Sequence, residues 1–320
     1  MLLFLYLLVT LHSCGPALAG QGSLEELTGF GPNPGALKAW HYLPRSLEKS
    51  APLVIVLHGC GQNAGEMARL SGWNTLADDY GFAVLYPEQQ VSNNPQNCFN
   101  WFLPGDMQRD SGEVVSIQQM VSYVADSLSL DEERIYVTGM SAGGAMAAAL
   151  LSAYPEAFKA GAVLSGVPYG SAQDLNTGLA VMQGKVMKSA SEWGELVKRQ
   201  YLSYKGDYPK LAVFHGTDDP IVSPINASEL AKQWGFLHGI DFTEAERELG
   251  FAGNEQVERL GFDNEAGEEV LVKYNISGLG HAIAVDPDGE EPAGGAVGNF
   301  AKDVDFFSSY WVAEFFNLTD

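Results

Sequence analysis

Cysteine is scarce in this chain of 320 residues, which contains three: Cys14, Cys60 and Cys98. The two beyond the N-terminal segment, without a histidine cluster, are too few for a structural zinc site, so we predict no metal. They form an even pair, and in an exported protein such a pair is a candidate disulfide. Two buried free thiols are the alternative.

Basic residues are also few, since 18 lysines and arginines stand against 40 acidic residues and leave a formal net charge of -22. A strongly acidic surface repels nucleic acid and anionic lipid, so we expect neither as a partner. The chain is 46% hydrophobic and 18% charged, which is the balance of a globular protein and argues against a disordered or fibrous one.

No apolar run is long enough to cross a bilayer, because the one at the N-terminus covers only residues 2–11. Small residues follow it up to Ala19, so we predict a secretory signal over residues 1–19, although no basic residue precedes the run. The alternative is lipoprotein processing with a lipid anchor at Cys14. We therefore expect a secreted or periplasmic protein, or a lipid-anchored one.

No linker rich in proline or serine divides the remaining residues, and their number suffices for one large core. We expect a single catalytic domain over residues 20–320, without a separate C-terminal polymer-binding domain. Residues 171–208 are predicted to be helical without a strand of their own. They form either a cap inserted over the carboxyl ends of the strands or a plain surface helix.

Apolar runs that end in glycine or proline alternate with segments of helical spacing. The predicted strands cover residues 51–59, 82–87, 134–139, 158–166, 210–216 and 269–276, and the main helices cover residues 65–81, 113–129, 143–155 and 303–316. Runs that are apolar on both faces belong to parallel sheets covered by helices. The alternation predicts an α/β fold of three layers with a mostly parallel sheet.

Residues 139–143 read Gly-Met-Ser-Ala-Gly, which matches the G-x-S-x-G pattern of a nucleophile elbow around Ser141. A glycine-rich turn in which Ser141 caps the next helix is the alternative. Because the serine follows a predicted strand and precedes a helix, it lies where open parallel sheets bind ligands, which favours the elbow.

A serine nucleophile needs a histidine to accept its proton, and the histidine needs an acidic partner that comes earlier in this type of chain. His281 follows a predicted strand in a glycine-rich loop and is the candidate base, with a surface histidine as the alternative. Of the other histidines, His12 lies in the signal, His41 lies before the sheet and His238 lies in a helical segment. His58 and His215 end predicted strands but precede Ser141 or a better-placed acid.

Two adjacent aspartates follow the predicted strand over residues 210–216. We favour Asp219 as the acid that points inward and Asp218 as the residue that caps the turn from outside, a choice that rests partly on the resemblance described below. Ordinary turn formation by both is the alternative.

Attack on an ester builds negative charge on the carbonyl oxygen, and each backbone N–H group aimed at that oxygen contributes roughly 3 kcal/mol. The N–H groups of Ala142 and Cys60 are the candidates. A Cys60–Cys98 disulfide would hold the Cys60 loop rigid and bring Trp101 to the rim of the site. There its ring would be an apolar wall for substrate, or else a core aromatic.

Six motifs that occur in order along the chain resemble the extracellular poly(3-hydroxybutyrate) depolymerase type of esterase, whose relatives include feruloyl and acetylxylan esterases. They are LVIVLHGCGQNA, NCFNWF, YVTGMSAGGAMA, YPEAFKAGAVLSGVPYG, VFHGTDDPIV and GLGHAIAVDP. The resemblance implies an α/β-hydrolase fold, a triad of Ser141, Asp219 and His281, the oxyanion role of Cys60, and the disulfide.

The expected function is that of a secreted serine esterase that cleaves poly(3-hydroxybutyrate)-type polyester or its oligomers through an acyl-enzyme and without a cofactor. A feruloyl or acetylxylan esterase is the first alternative. A non-catalytic binding protein on a hydrolase scaffold is the second, because a fold does not establish an activity.

Overall fold

The computed structural model describes residues 22–240 and 242–319. The predicted signal segment, its cleavage site at Ala19 and the lipidation candidate Cys14 lie outside the described residues. The prediction of a single domain over residues 20–320 stays a prediction.

Ten strands form one sheet in the order β1-β2-β4-β3-β5-β6-β7-β10-β9-β8, and two short strands, β11 and β12, pair separately. The strands are β1 (Leu24–Leu27), β2 (Lys38–Tyr42), β3 (Leu53–Leu57), β4 (Ala83–Glu88), β5 (Ile135–Met140), β6 (Ala160–Leu164), β7 (Lys210–Gly216), β8 (Glu246–Leu249), β9 (Val257–Asp263), β10 (Glu269–Ile276), β11 (Ile283–Val285) and β12 (Ala301–Asp303). The central strands from β4 to β10 are parallel, and antiparallel strands extend both edges.

The helices are α1 (Ala64–Ser71), α2 (Trp73–Tyr80), α3 (Pro104–Met107), α4 (Gly112–Leu128), α5 (Ala142–Ala153), α6 (Leu175–Met182), α7 (Ala190–Lys198), α8 (Ile225–His238) and α9 (Ser308–Phe315). Successive residues of β3 belong to two hydrophobic cores, with Leu53 and Ile55 in one and Val54 in the other. Helices α1, α2 and α9 cover the second core, while α4, α5 and α8 cover the first. The predicted three-layer α/β fold is therefore confirmed.

The predicted helix over residues 65–81 is wrong in one respect, because the structure divides it into α1 and α2 at Gly72. Gly72 adopts φ 75°, a left-handed conformation that other residues adopt only with strain. A Cβ atom at this position would lie 2.7 Å from the ring of Phe307. Glycine therefore suits both the left-handed conformation and the close contact with the C-terminal segment at this break.

The sequence prediction also missed the edges of the sheet. His41, assigned to a position before the sheet, lies in β2. No residue of β1 is buried, and every residue of β8 is exposed, so neither has the apolar run that marked the central strands. Within the described residues, no helix is both long and apolar enough to span a bilayer.

Residues 171–208 contain α6 and α7 and no strand, as predicted. Helix α6 lies between two loops at the carboxyl ends of the strands. On one side, a Cβ atom at Gly178 would lie 3.1 Å from Phe102. On the other, the Ser223 N–H donates a 2.7 Å hydrogen bond to the Met182 carbonyl. Whether this segment acts as a cap stays a prediction.

Candidate active site

Ser141 lies on a tight turn between β5, which ends at Met140, and α5, which begins at Ala142. Its backbone angles are φ 56° and ψ −118°, a conformation that costs energy for any residue with a Cβ atom and that occurs at nucleophile elbows. The turn packs tightly, since a Cβ atom at Gly139 would lie 2.5 Å from the carbonyl carbon of Gly143. Two glycines therefore allow the strand and the helix to approach.

The strand order brings two other loops toward the serine. Strands β7 and β10 are neighbours and parallel, so the loops that follow them leave the sheet at the same edge. The N–H of Thr217 donates to the Ile276 carbonyl at 2.9 Å, and the N–H of Asp218 donates to the Leu279 carbonyl at 3.1 Å. These bonds tie the loop after β7 to the loop after β10.

A chain of hydrogen bonds joins the three residues predicted as the triad. His281 Nε2 lies 2.9 Å from Ser141 Oγ, and His281 Nδ1 lies 2.7 Å from Asp219 Oδ2. The side chains are almost fully enclosed, with 5% of His281 and 0% of Asp219 exposed. This geometry allows the imidazole to accept a proton from the hydroxyl while the carboxylate holds the opposite nitrogen.

Asp219 is held as an ionised carboxylate. Its Oδ1 accepts the N–H groups of Ile221 and Val222, both at 2.9 Å. Burial raises the pKa of Asp219, but hydrogen bonds from His215 and His281 outweigh this effect and hold the pKa well below its usual value. By contrast, Asp218 is exposed and accepts a hydrogen bond from the Thr217 hydroxyl.

His215 is not among the predicted catalytic residues, yet it lies against the candidate acid. Its Nε2 donates to the Val222 carbonyl at 2.9 Å and lies 3.3 Å from Asp219 Oδ2. A carbonyl can only accept, so the proton is on Nε2. A histidine at the end of β7, four residues before the aspartate, was the sequence signal for this contact.

The two predicted oxyanion donors flank the serine. Ala142 is the first residue of α5, and the first N–H groups of a helix have no partner within the helix. On the other side, the loop after β3 passes Ser141 at Gly59, where a Cβ atom would lie 3.4 Å from the Ser141 Cβ. Cys60 follows directly in that loop.

His58, likewise not a predicted catalytic residue, orients the peptide that carries the Cys60 N–H. Its Nδ1 donates to the Gly59 carbonyl at 2.8 Å, and its Nε2 accepts the Gln89 N–H at 3.0 Å. Burial lowers the pKa of His58 to about 4, against the smaller opposing effect of the Gly59 hydrogen bond. The neutral ring therefore holds the Gly59–Cys60 peptide plane.

Comparison with known proteins identifies the family. The family profile described as Esterase PHB depolymerase matches residues 38–258. The chain belongs to this family. It is 36% identical to poly(3-hydroxyalkanoate) depolymerase C of Paucimonas lemoignei over 92% of this chain and 70% of that protein. It is also 35% identical to feruloyl esterase B of Thermothelomyces thermophilus, over 69% of this chain and 77% of that protein.

Among solved structures, the acetyl xylan esterase from Aspergillus awamori superimposes with a TM-score of 0.75 and 27% identity. The match covers 81% of this chain and 94% of that one. With the family membership, this likeness identifies the protein as an esterase of the α/β-hydrolase fold, and the expected hydrolysis of carboxylic esters is supported.

In this esterase, Cys60 and Cys98 form a disulfide, as predicted. Further bonds join the same loops, since the Gly61 N–H donates to the Gln96 carbonyl at 2.8 Å and Asn97 Nδ2 donates to the Gln62 carbonyl at 2.6 Å. The loop after β3 is thus fastened to the loop after β4.

Trp101 lies in the hydrophobic core of the esterase, with 6% of its surface exposed. Its ring meets the ring of Phe102 edge-on and lies 3.4 Å from the position a Cβ atom would take at Gly178 in α6. The structure thus places Trp101 beneath α6, and its role as a wall for substrate stays a prediction.

One carboxylate cluster among the described residues has the spacing of metal ligands. Oxygens of Asp286, Asp303 and Asp305 lie within 4.8 Å of one another. Burial, and then the charges of the two neighbours, raise the pKa of Asp286. Such a cluster does not by itself make a metal site, and the absence of a metal cofactor stays a prediction.

Proposed function

We propose that this protein is a secreted serine esterase in which Ser141 is the nucleophile, His281 the general base and acid, and Asp219 the acid that orients the histidine. One observation carries the proposal: the unbroken chain of hydrogen bonds from Ser141 Oγ through both ring nitrogens of His281 to Asp219 Oδ2. The elbow backbone at Ser141 supports it independently.

The reaction follows from this arrangement. His281 Nε2 takes the proton of Ser141 as Oγ bonds to the carbonyl carbon, and the carbonyl electron pair moves onto the oxygen. When the tetrahedral intermediate collapses, the bond to the alcohol breaks and His281 returns the proton to the leaving oxygen. Water then attacks the acyl-enzyme with its proton passing to His281, and the acid leaves as Ser141 recovers that proton.

The oxyanion in both steps would be stabilised by the N–H groups of Cys60 and Ala142. The ring of His58 supports this assignment because it holds the peptide that carries the Cys60 N–H. Donors fixed before the substrate arrives need no reorganisation in the transition state, which is why they lower the barrier.

The substrate we favour is a poly(3-hydroxybutyrate)-type polyester or its oligomers. The 36% identity to a poly(3-hydroxyalkanoate) depolymerase over most of the chain supports it. So do exposed aliphatic side chains on α6 and on the segment after Asp219: Leu175, Leu179, Ile221 and Ile225, each at least 43% exposed. An uncharged aliphatic chain would cover such side chains favourably.

A feruloyl or acetylxylan ester is the second candidate, favoured by the match to the acetyl xylan esterase from Aspergillus awamori. Product analysis separates the candidates: polyhydroxybutyrate film, a hydroxybutyrate trimer, methyl ferulate and acetylated xylan are incubated with equal amounts of enzyme. The polyester proposal expects hydroxybutyrate release to exceed release of ferulate and acetate. The reverse order would contradict it.

The catalytic assignment has its own test. A fluorophosphonate should label the folded protein at Ser141, as read by mass spectrometry of its peptides, and Ser141→Ala should neither be labelled nor turn over p-nitrophenyl butyrate. Label on another residue, or full turnover by the alanine variant, would refute the triad. Absence of turnover by the unmodified protein would favour the non-catalytic binding protein.

Export is the remaining part of the proposal, and the Cys60–Cys98 disulfide supports it because disulfides persist in oxidising compartments. Mass spectrometry of the mature N-terminus is the test. Cleavage after Ala19 is expected, whereas a lipid-modified Cys14 would indicate the anchored form.

A further inference from the structure

A cavity of about 460 Å³ lies between the loop that carries α3 and the end of α7. Its walls come from residues 104–109 on one side and from residues 169–173 and 196–200 on the other. No residue of the proposed triad lines it. Its volume is that of a site for a small molecule rather than for a single water.

The length of α5 separates this cavity from the nucleophile. Ser141 directly precedes the helix, whereas Arg109, at the cavity, donates to the carbonyl of Ala153, the last residue of the helix. A helix of 12 residues is about 18 Å long. A ligand in the cavity therefore would not take the place of an ester bound at Ser141.

Arg109 holds the two walls of the cavity together. Its backbone N–H donates to Gln200 Oε1 at 2.9 Å, which joins the loop after α3 to the end of α7. Its guanidinium pairs with Glu156 and lies 4.0 Å from the ring centre of Tyr201. The walls are thus fixed before a ligand binds, and Glu156 compensates the charge of Arg109.

Arg199 supplies a positive charge that is not compensated. It is exposed at the end of α7, and its guanidinium has no carboxylate or other hydrogen-bond partner among the residues that the structure describes. None of the described residues that line the cavity is acidic, although the protein has 40 acidic and 18 basic residues. In so acidic a protein, a cavity without acids and with a free guanidinium favours an anion.

The other walls narrow the anion to a carboxylate on a short carbon chain. Gln108 and Gln173 are exposed, and their side-chain amides make no hydrogen bond within the described part of the chain. Met107 and Leu196 add apolar surface that a carbon chain would cover. A carboxylate accepts two parallel hydrogen bonds from a guanidinium, and its single charge balances that of Arg199.

We propose that this cavity binds a short-chain monocarboxylic acid through Arg199, the class of product that ester hydrolysis releases. The inference rests on the proposed serine-esterase function for the source of the ligand. Binding itself needs no reactive serine, because the cavity lies a helix length away from Ser141.

Titration of the isotopically labelled protein with butyrate, at neutral pH and constant ionic strength, tests the proposal by nuclear magnetic resonance. We expect the backbone N–H signals of residues 169–173 and 196–200 to shift and to saturate. The uncharged butyramide should bind about tenfold more weakly, because hydrogen bonds between two charged groups are the stronger ones.

Two variants with the same loss of charge assign the binding to Arg199. Arg199→Gln should weaken butyrate binding about tenfold. Lys205→Gln is the matched control, because Lys205 is exposed in the same segment and does not line the cavity, and its affinity should stay within about twofold of the unmodified protein. Thermal unfolding of both variants ensures that folded proteins are compared.

Four results would overturn the proposal. They are equal affinity for butyramide and butyrate, unchanged affinity in Arg199→Gln, equal weakening in Lys205→Gln, and shifts confined to the residues around Ser141. The same titration of Ser141→Ala should give the affinity of the unmodified protein. Failure of the serine-esterase function would instead appear as an absence of turnover and of fluorophosphonate label, and would leave this binding unchanged.

Discussion

At the scale of single residues, two adjacent aspartates have opposite surroundings. Asp219 is enclosed, and both of its oxygens accept hydrogen bonds, from two backbone N–H groups and from His281. Asp218 is exposed and bonds to the hydroxyl of its neighbour Thr217. Although the two residues are adjacent, only the carboxylate of Asp219 is placed to stabilise an imidazolium at His281, while that of Asp218 bonds within its own turn.

Replacement of Asp219 by Asn is the corresponding test. The amide keeps the shape but loses the negative charge, so His281 is no longer held in the correct tautomer. We expect kcat for p-nitrophenyl butyrate to fall by about 10⁴-fold. The matched Asp218→Asn variant should stay within about twofold of the unmodified enzyme. Equal losses in both variants would contradict the assignment of the acid.

At the scale of elements, buried hydrogen bonds to Glu113 hold the segment from Gln89 to Glu113 in place. Glu113, in the first turn of α4, is fully buried and accepts hydrogen bonds from Gln89 Nε2 and from the Asn100 N–H. Burial raises the pKa of Glu113 to about 8, against the opposing hydrogen bond from Asn100. The disulfide fixes the same segment to the loop that carries Cys60.

Removal of the disulfide tests this arrangement. The bridged residues are 38 positions apart, and the chain-entropy relation for a closed loop of that size predicts a loss of about 4 kcal/mol in the free energy of unfolding. Urea unfolding of the Cys60→Ala, Cys98→Ala double variant measures it. We also expect kcat to fall, because the loop beside Ser141 loosens. Unchanged stability and unchanged kcat together would refute a role for the bridge.

Helix α6 offers a second test at this scale. Leu175 and Leu179 are 59% and 48% exposed and lie one turn apart, so they share a face. Leu179→Asp should lower release of hydroxybutyrate from polymer film at least fivefold and leave turnover of soluble p-nitrophenyl acetate unchanged. Leu249→Asp, on the edge strand β8, is the control, because Leu249 is 69% exposed at the far end of the sheet. Equal film activity in the two variants would contradict contact between α6 and polymer.

At the scale of the whole molecule, the free energy of unfolding depends on pH through His58 and Glu113, which are buried and whose pKa values differ from the ordinary ones. His58 has a pKa of about 4 in the folded protein, below the ordinary value of 6.5. The unfolded chain therefore binds this proton first as pH falls, and stability decreases between about pH 6.5 and pH 4. Glu113 acts in the opposite sense, because its raised pKa means that stability falls as pH rises from about 4.5 to 8.

The His58 contribution can be isolated by comparison with His58→Gln. The unfolding free energy of the unmodified protein, minus that of the variant, should fall by about 3 kcal/mol between pH 7 and pH 4. Urea titrations at half-unit steps of pH measure this difference, and the Glu113 contribution cancels because it is common to both proteins. A difference that does not change with pH would mean that His58 is not held neutral.

Much of the fold could be predicted, because its central strands are marked by local runs of apolar residues in the sequence. The runs that became β3, β4, β5, β6 and β7 are apolar on both faces, and each was located within a few residues. The edge strands β1 and β8 could not be predicted this way, since they are held by pairing with a neighbour rather than by burial. The break lies at Gly72, where a side chain would contact Phe307, which is more than 200 residues away in the sequence.

The sequence by itself predicted the elbow at Ser141 and the order of the candidate nucleophile, acid and histidine, because strand ends and glycine-rich turns are local patterns. Only the tertiary structure decided which aspartate meets His281, since that depends on β7 and β10 being neighbours. The roles of His58 and Gln62 likewise arise from the folded loop: each holds Gly59, and only folding buries their polar atoms beside Ser141. Burial and strand order result from contacts across the whole chain, which no single motif contains.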